Sequence, residues 1–579
     1  MGHQPAAEPL VPASTRAAGV PAPDIEELLA QMTLEEKVGQ MTQVSRVELQ
    51  GAEVRELYLG SVLNGGNDLV NPNTPEGWAD ATDRFQMQAL GTRLGIPFMY
   101  GIDAVHGHGE LRGATVFPHN IGFGATRNPE IAEQAGKIVA QEVAGTGIRW
   151  TFAPCIAVPR DERWGRTYEG FGETPELASM FAPAVVRGMQ GEKLGSPDSI
   201  IACAKHFVAD GATDKGVDQG DAKISEQELR AIHLPGYAAA VKAGVGSVMV
   251  SFSSWNGQRM HGQEHLLTDV LKGEMGFQGF VVSDWEGIEN MSTSFKENVA
   301  NAINAGVDMA MTAKNYRHYI RAVKSLVGSN RISMSRLDDA VRRILRVKAA
   351  AGLWEHPMAN RRLAAEIGSP EHRAVARDAV RQSMVVLKND RNLLPLKKSA
   401  KVHLAGSKAN DMGAQCGGWT VGWQGRLGAV TPGTTIQRAI ERAVAPSAIL
   451  GSARDADVVV VVVGETPYAE GAGDSKDLVL SGSDRSAIAN ARKSGKSVVT
   501  VLLTGRPLVI EDWLPFTDAL VVAWLPGTEG DGVADVLFGD YKPTGKLPHS
   551  WPRSMQQIPI NQGDANYEPL FPYGFGLSY

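Results

Sequence analysis

Gly279-Phe280-Val281-Val282-Ser283-Asp284-Trp285-Glu286-Gly287 is the stretch around which this 579-residue chain is organised. A short apolar run broken by an acid, an indole, a second acid and a glycine predicts a fully buried strand that delivers Asp284 at its exit. Runs of the same kind recur at 61–64, 96–103, 148–154, 200–206, 247–252 and 307–311, with amphipathic stretches such as 129–143, 225–243 and 295–305 between most of them. Strands alternating with helices imply a parallel sheet, because each parallel return needs a crossover. Seven such runs predict an α/β fold with a (β/α)8 TIM-like barrel, the eighth strand being left unassigned. No Gly-x-Gly-x-x-Gly follows a strand in this half, which argues against a dinucleotide-binding sheet.

On the N-terminal side, residues 24–43 carry helical spacing (Ile25, Leu28, Leu29, Met32, Val38, Met41), with Thr33 and Glu36 placed for a capping box, and read as an opening αα hairpin packed across one end of a domain. On the C-terminal side, residues 336–351 predict a basic amphipathic helix ending at Gly352. A helix over 371–387 then opens a second unit, whose strands fall at 402–405, 457–464, 497–504 and 519–524. The expected organisation is a disordered Ala- and Pro-rich leader at 1–23, a barrel at 24–356 and a linker at 357–370. A smaller α/β sandwich follows at 371–579, closing in an ordered tail.

Composition narrows the function. With 43% hydrophobic and 21% charged residues and a net charge of −7, the chain has neither the basic face nor the stacking sites of a nucleic-acid binder. Its longest apolar run, 458–463, is far too short to cross a bilayer, so no membrane partner is expected. Cys155, Cys203 and Cys416 show no metal spacing and read as buried thiols. The leader has no apolar h-region; a periplasmic or secreted chain with its signal removed is the favoured reading, and a cytoplasmic one the alternative. Monomer and homodimer both remain open.

The strand exits carry the chemistry. Asp103, the arginines of 160–166, Lys205-His206, the 249–255 segment and Asp284-Trp285-Glu286 would all converge on one barrel mouth. Singly, each has a bland reading as a helix cap, a surface pair or a solvated loop. Together, acids, cations and indoles without a metal-ligand set point to a carbohydrate site with no metal and no cofactor. His106-Gly-His108 and His119 lack the helix that presents two imidazoles on one face, so they read as structural histidines. No Gly-x-Ser-x-Gly elbow is present.

Five barrel motifs, Tyr100-Gly-Ile-Asp-Ala-Val-His-Gly107, Asp161-Glu-Arg-Trp-Gly-Arg166, Ala204-Lys-His-Phe207, Ser251-Phe-Ser-Ser-Trp-Asn256 and Val282-Ser-Asp-Trp-Glu-Gly287, resemble glycoside hydrolase family 3. The resemblance continues through Gln415-Cys-Gly-Gly-Trp-Thr-Val-Gly-Trp-Gln-Gly425, Gly464-Glu-Thr-Pro-Tyr-Ala-Glu470 and Ala523-Trp-Leu-Pro-Gly-Thr-Glu-Gly530. It implies an exo-acting β-glucosidase or exo-β-1,3/1,4-glucanase that removes glucose from the non-reducing end of β-glucans and β-linked glucose oligosaccharides by double displacement. Asp284 would be the nucleophile and Glu470 the acid/base, with Glu465 the nearby competitor and a solvated loop glutamate the bland alternative.

By the same resemblance, Asp103, Arg166, Lys205 and His206 would bind the terminal sugar, and Met249 is placed with them. Arg166, Lys205 and His206 would supply positive charge that keeps Asp284 ionised. Trp285 and Trp423 would clamp the next ring with Trp419 beside them, a packed helical face being the alternative for the two indoles four residues apart. Phe252, Gln219 or Asp218, and Asn290 depart from the tyrosine, glutamate and arginine of plant look-alikes, which leaves linkage preference open. The partner that Cys155 has in those plants is replaced by Thr167. Competing readings are a non-catalytic β-glucan-binding protein, a β-xylosidase and a β-N-acetylglucosaminidase. The last carries Lys-His-Phe-Pro-Gly-His-Gly where this chain reads Lys205-His-Phe-Val-Ala-Asp-Gly211.

Overall fold

The computed structural model describes residues 20–292 and 294–579, so residues 1–19 of the expected leader lie outside the described residues. Eight short strands form the ring of the first unit: β1 (Thr42–Ser45), β2 (Ser61–Leu63), β3 (Met99–Ile102), β4 (Trp150–Thr151), β5 (Cys203–Phe207), β6 (Ser247–Val250), β7 (Phe280–Val282) and β8 (Ala310–Met311). They pair in parallel in the orders β8-β1-β2-β3-β4 and β5-β6-β7. Parallel bridges Trp150↔Ile201 and Val282↔Met309 close the two sets on each other. This is the barrel that the seven runs announced, with the eighth strand now in place.

The strand that the sequence hid is β1. The αα hairpin expected over 24–43 forms as two helices, Ile25–Gln31 and Leu34–Gln40, but it ends before residue 43 and the chain enters the ring at Thr42. The Thr33–Glu36 capping box opens the second helix as expected. β1 shows no apolar run because three of its four buried residues are polar. Thr42 Oγ1 donates to Val38 O at 2.8 Å and Gln43 Nε2 to Ser61 Oγ at 2.8 Å, so their burial leaves these donors satisfied.

Side chains fill the barrel. Trp150 reaches across to donate from Nε1 to Ser247 Oγ at 2.8 Å and packs edge-on against Phe152 and Phe280 at 5.0 and 5.1 Å. Buried Asp308, just before β8, accepts Val281 N–H at 2.8 Å through Oδ2. Its Oδ1 meets Lys272 Nζ at 2.8 Å and Arg336 Nη2 at 2.6 Å. That ion triad fastens β7, the strand whose exit carries Asp284.

Helix Met334–Ala350 leads out of the barrel, and a short helix, Arg361–Ala364, lies within the stretch expected to be a plain linker. The helix expected over 371–387 is Pro370–Ser383 instead. Residues Val385–Asn389 leave it to form an edge strand, β9, because the apolar Val-Val-Leu run gains more from pairing with the sheet than from extending the helix. The other strands are β10 (Val402–Ala405), β11 (Ile449–Leu450), β12 (Val458–Gly464), β13 (Ser497–Leu503) and β14 (Ala519–Trp524), in the order β9-β14-β13-β12-β10-β11. Only β9 runs antiparallel to its neighbour within this sheet.

Along β12 the valines alternate between two apolar layers. Val459, Val461 and Val463 join the cluster continuous with the barrel core, while Val458, Val460 and Val462 face the cluster behind the sheet. The final segment packs back over both units. Ser550 N and Gln562 N donate to buried Glu173 at 2.6 and 2.7 Å, and Leu577 N donates to Val386 O at 2.9 Å.

Candidate active site

A cavity of about 340 Å³ opens at the C-terminal ends of the barrel strands, the face where inward-pointing loops converge. The exits of β2, β3, β4, β5, β6, β7 and β8 contribute Asn64, Asp103, Phe152, Lys205 with His206, Met249, Asp284 and Met311. Arg166 arrives on the loop after β4, and Trp419, Trp423 and Glu470 come from the second domain. All ten residues singled out from the sequence line this one space.

Cations and acids are interleaved around it. Arg166 forks onto Glu169, with Nε to Oε1 at 2.8 Å and Nη2 to Oε2 at 3.0 Å, and its Nη1 lies 3.3 Å from Glu470 Oε1. Lys205 Nζ donates to Asp103 Oδ1 at 2.7 Å. The ring of Trp419 covers both cations, with Lys205 Nζ 5.4 Å and Arg166 Cζ 5.8 Å from its centroid.

His206 does not carry the positive charge expected of it. Arg166 Nη2 donates to His206 Nε2 at 3.1 Å, which leaves the ring proton on Nδ1 to donate to Asp210 Oδ2 at 2.8 Å. Burial, reinforced by the Arg166 and Lys205 charges, holds its pKa well below the usual histidine value. The ring is neutral, and Arg166 and Lys205 are the cations that act on it.

Asp284 is held from three sides. Its main-chain N–H donates to His261 Nε2 at 3.1 Å, its Oδ1 accepts Trp285 N–H at 2.7 Å, and His206 Nε2 lies 3.9 Å from Oδ2. Burial lifts its pKa to about 6, against the pull of Arg166, the Trp285 N–H and Lys205. Burial lifts Glu470 further, to about 7, with Arg166 opposing and the Asp284 charge adding to the rise. The two carboxyls are thus pushed apart with Glu470 the more readily protonated, the pattern of a site that runs acid and base chemistry together.

Glu465 stands elsewhere. Its carboxylate accepts from Thr504 Oγ1 at 2.7 Å, Gly505 N at 3.1 Å and Arg506 Nε at 3.1 Å, binding the loops behind the cavity together. It does not line the cavity.

Trp419 and Trp423 lie on an irregular loop beyond the short helix Met412–Cys416, so the packed helical face does not form. Trp419 and Val421 take left-handed φ of 58° and 47°. The loop inserts into the barrel mouth, with Val421 N donating to Gly109 O at 2.5 Å and Trp423 N to Gly66 O at 2.6 Å. Two glycines allow it: a Cβ on Gly66 would sit 2.2 Å from Trp423 Cβ, and one on Gly109 would sit 2.1 Å from Trp419 O. The indole N–H groups of Trp419 and Trp423 have no protein acceptor among the described residues.

Residues that sequence reasoning passed over act one layer back: Glu169, Asp210, His261 and Gln424. Each contacts a lining residue or its loop through its side chain, a partnership that the sequence alone does not record. Of the three departures from plant look-alikes, Phe252 and Gln219 line the cavity. Asn290 stays outside it and donates to Glu286 O at 3.1 Å.

His106, His108 and His119 are structural. His106 Nδ1 pairs with Phe117 O and Nε2 with Thr420 Oγ1, and its ring stacks on His119 at 3.6 Å. Cys155, His206 and Asp210 bring sulfur, nitrogen and oxygen within 4.8 Å of one another. They do not suit a cation: the imidazole and carboxyl already satisfy each other, burial pushes the Cys155 thiol up, and two fixed cations flank the ring.

Comparison with known proteins agrees with this architecture. A solved exo-1,3/1,4-beta-glucanase from a Pseudoalteromonas species superposes with a TM-score of 0.92 at 42% identity, over 96% of this chain and 74% of that one. A beta-glucosidase from Listeria innocua, solved as a point mutant in complex with laminaribiose, gives a TM-score of 0.85 at 30% identity, over 96% and 83%. The periplasmic beta-glucosidase of Salmonella typhimurium is 33% identical over 96% of this chain and 80% of its own length. Residues 33–347 match the glycosyl hydrolase family 3 N terminal domain and residues 384–579 its C-terminal domain. Barrel, sandwich and composite cavity thus belong together, and the chain is a glycoside hydrolase of family 3.

Proposed function

We propose that this hydrolase is a retaining, exo-acting β-glucosidase/exo-β-1,3/1,4-glucanase, with Asp284 the nucleophile and Glu470 the acid/base. The observation that carries the reading is the meeting of these two partly buried carboxyls, one from each domain, with desolvation lifting Glu470 above Asp284. In the first step the Asp284 carboxylate attacks the anomeric carbon while Glu470 gives its proton to the departing oxygen. Esterification then removes the Asp284 charge that raises Glu470, so Glu470 stays in the ionised form that can take a proton from the incoming water.

The barrel-side groups Asp103, Arg166, Lys205 and His206 surround the terminal sugar, with Met249 on the same wall. The neutral His206 ring and the Lys205–Asp103 pair offer the mixed donors and acceptors that a polyol needs. Trp285 and Trp423 flank the ring on the leaving side, and the free indole N–H groups of Trp419 and Trp423 point to a hydroxylated ligand. The names of the Pseudoalteromonas and Listeria proteins support β-linked glucose as the substrate. The Salmonella relative supports a periplasmic or secreted location. Among the described residues no helix is long and apolar enough to cross a membrane.

The test is release from an aryl β-glucoside, run beside the β-xyloside and the β-N-acetylglucosaminide. The expected result is preference for the glucoside, a first-formed β-anomer by proton NMR, loss of activity in Asp284→Asn, and rescue of Glu470→Ala by azide. An initial α-anomer excludes double displacement, and no release from any glycoside favours a binding protein.

A further inference from the structure

The loop that carries Glu470 is tied to the barrel by a carboxylate outside the cavity. Residues Glu470–Gly473 make a single turn, and Asp474 follows directly. Asp474 Oδ1 accepts Gly165 N–H at 2.9 Å, and its Oδ2 accepts Asp218 N–H at 2.8 Å. Both donors are main-chain groups of the other domain, on two different barrel loops. Gly165 precedes Arg166, whose guanidinium meets Glu470, and Asp218 precedes Gln219 of the cavity wall. Asp218 is itself fixed, since its Oδ1 accepts Trp164 Nε1–H at 3.0 Å.

Two further features show how much this turn depends on being held. Glu470 takes a left-handed φ of 55°, a strained conformation for a residue with a Cβ that persists only where its surroundings impose it. The fit against the barrel leaves no slack: a Cβ on Gly165 would lie 2.0 Å from Glu470 O. The sandwich braces one end of the turn, where Gln424 accepts Ala469 N–H at 2.9 Å and donates to Ala469 O at 3.1 Å. At the other end, Ser475 N donates to Arg163 O at 3.0 Å. Among the described residues, Asp474 is the one side chain of the 470–474 segment bonded to the barrel main chain.

We propose that Asp474 is a positioning residue for proton transfer: by accepting two main-chain N–H groups across the domain interface, it registers the Glu470 carboxyl against the bond to be cleaved. This inference rests on the reading of Glu470 as the acid/base. Asp474 touches neither sugar nor reacting atoms in this arrangement, so its loss should act only on steps that need Glu470.

Leaving-group dependence separates that role from a merely structural one, because a good leaving group departs without a proton. Asp474→Ala and the isosteric Asp474→Asn, which keeps one acceptor, are compared with wild type and Glu470→Ala on cellobiose and on 2,4-dinitrophenyl β-glucoside. The expected result for Asp474→Ala is a loss in kcat/KM of about 10²-fold on cellobiose, the scale of general acid catalysis, with a change below about threefold on the dinitrophenyl substrate. Asp474→Asn should fall between, and azide should raise kcat of the alanine variant on the activated substrate by capturing the glycosyl-enzyme.

Equal losses on both substrates, or unchanged cellobiose turnover in both Asp474 variants, overturns the inference. If Asp474→Ala does not fold, the ratio of the two losses in Asp474→Asn decides the matter in the same way. If Glu470→Ala shows leaving-group selectivity and azide rescue while the Asp474 variants do not, only the positioning role is refuted. If Glu470→Ala shows neither, the acid/base assignment and the inference resting on it fall together.

Discussion

The pH dependence of kcat/KM is where the electrostatics of the cavity can be read directly. On the proposed assignment, with Asp284 near pKa 6 and Glu470 near 7, the productive form, carboxylate on Asp284 and proton on Glu470, is most populated midway between them. For two limbs this close, about 60% of the enzyme is productive at about pH 6.5 and about 9% at pH 5 or pH 8, a drop of about sevenfold on each side. The perturbation is Glu470→Gln, assayed from pH 4.5 to 9 with 2,4-dinitrophenyl β-glucoside so that protonation of the leaving group is not required. The alkaline limb should vanish while the acid limb stays, because the nucleophile must still be ionised.

Arg166→Met supplies the opposite sign. The guanidinium is the largest force opposing burial at both carboxyls, so its removal should move both limbs to higher pH. Glu169, left without its fork, adds repulsion in the same direction. An alkaline limb near pH 7 that survives in Glu470→Gln on the activated substrate would show that another group titrates there, and would refute the reasoning.

Two further outcomes concern packing. Gly66→Ala drives a Cβ to within 2.2 Å of Trp423 Cβ, so the indole loop must withdraw from the barrel mouth. Overpacking of this kind costs about 1–3 kcal/mol, and steady-state kinetics should show disaccharide kcat/KM falling more than that of the dinitrophenyl glucoside. Asp308→Asn leaves Lys272 and Arg336 without their shared counter-charge, an expected loss of about 3–5 kcal/mol in urea unfolding at neutral pH. The Asp308 pKa is lowered in the fold, despite burial, by Lys272 and Arg336. Its contribution is therefore full above the ordinary carboxylate range and is lost as pH falls through the depressed value, so mutant and wild type should converge in acid.

Much of the architecture was legible because its signals are local. Short apolar runs marked seven barrel strands, and the valine run of 457–464 announced a strand that the structure buries on both faces. What stayed hidden depended on tertiary partners. Thr42–Ser45 is mostly polar by pattern and lies flush against a helix, and its role rests on hydrogen bonds to Val38 and Ser61 that no periodicity records. Val385–Asn389 continued a helical spacing until the sheet edge offered it a partner.

The cavity followed the same rule. Residues at strand exits were found, whereas Asp210, His261 and Asp474 were not, since each matters through a contact made across a loop or a domain boundary. The tautomer of His206 likewise follows from Arg166 on one nitrogen and Asp210 on the other, information that a Lys-His dipeptide does not contain.

The insertion of the 417–425 loop between Gly66 and Gly109 has an evolutionary consequence. On the proposed assignment, the groups around the terminal sugar come from the barrel, while two of the indoles and Glu470 are delivered by loops of the sandwich. Selection can therefore remodel what the sugar is attached to without disturbing how the sugar itself is recognised, provided the two glycines that admit the loop are kept. A chimera that keeps this barrel and takes a relative's sandwich would inherit its sugar from one parent and its linkage preference from the other.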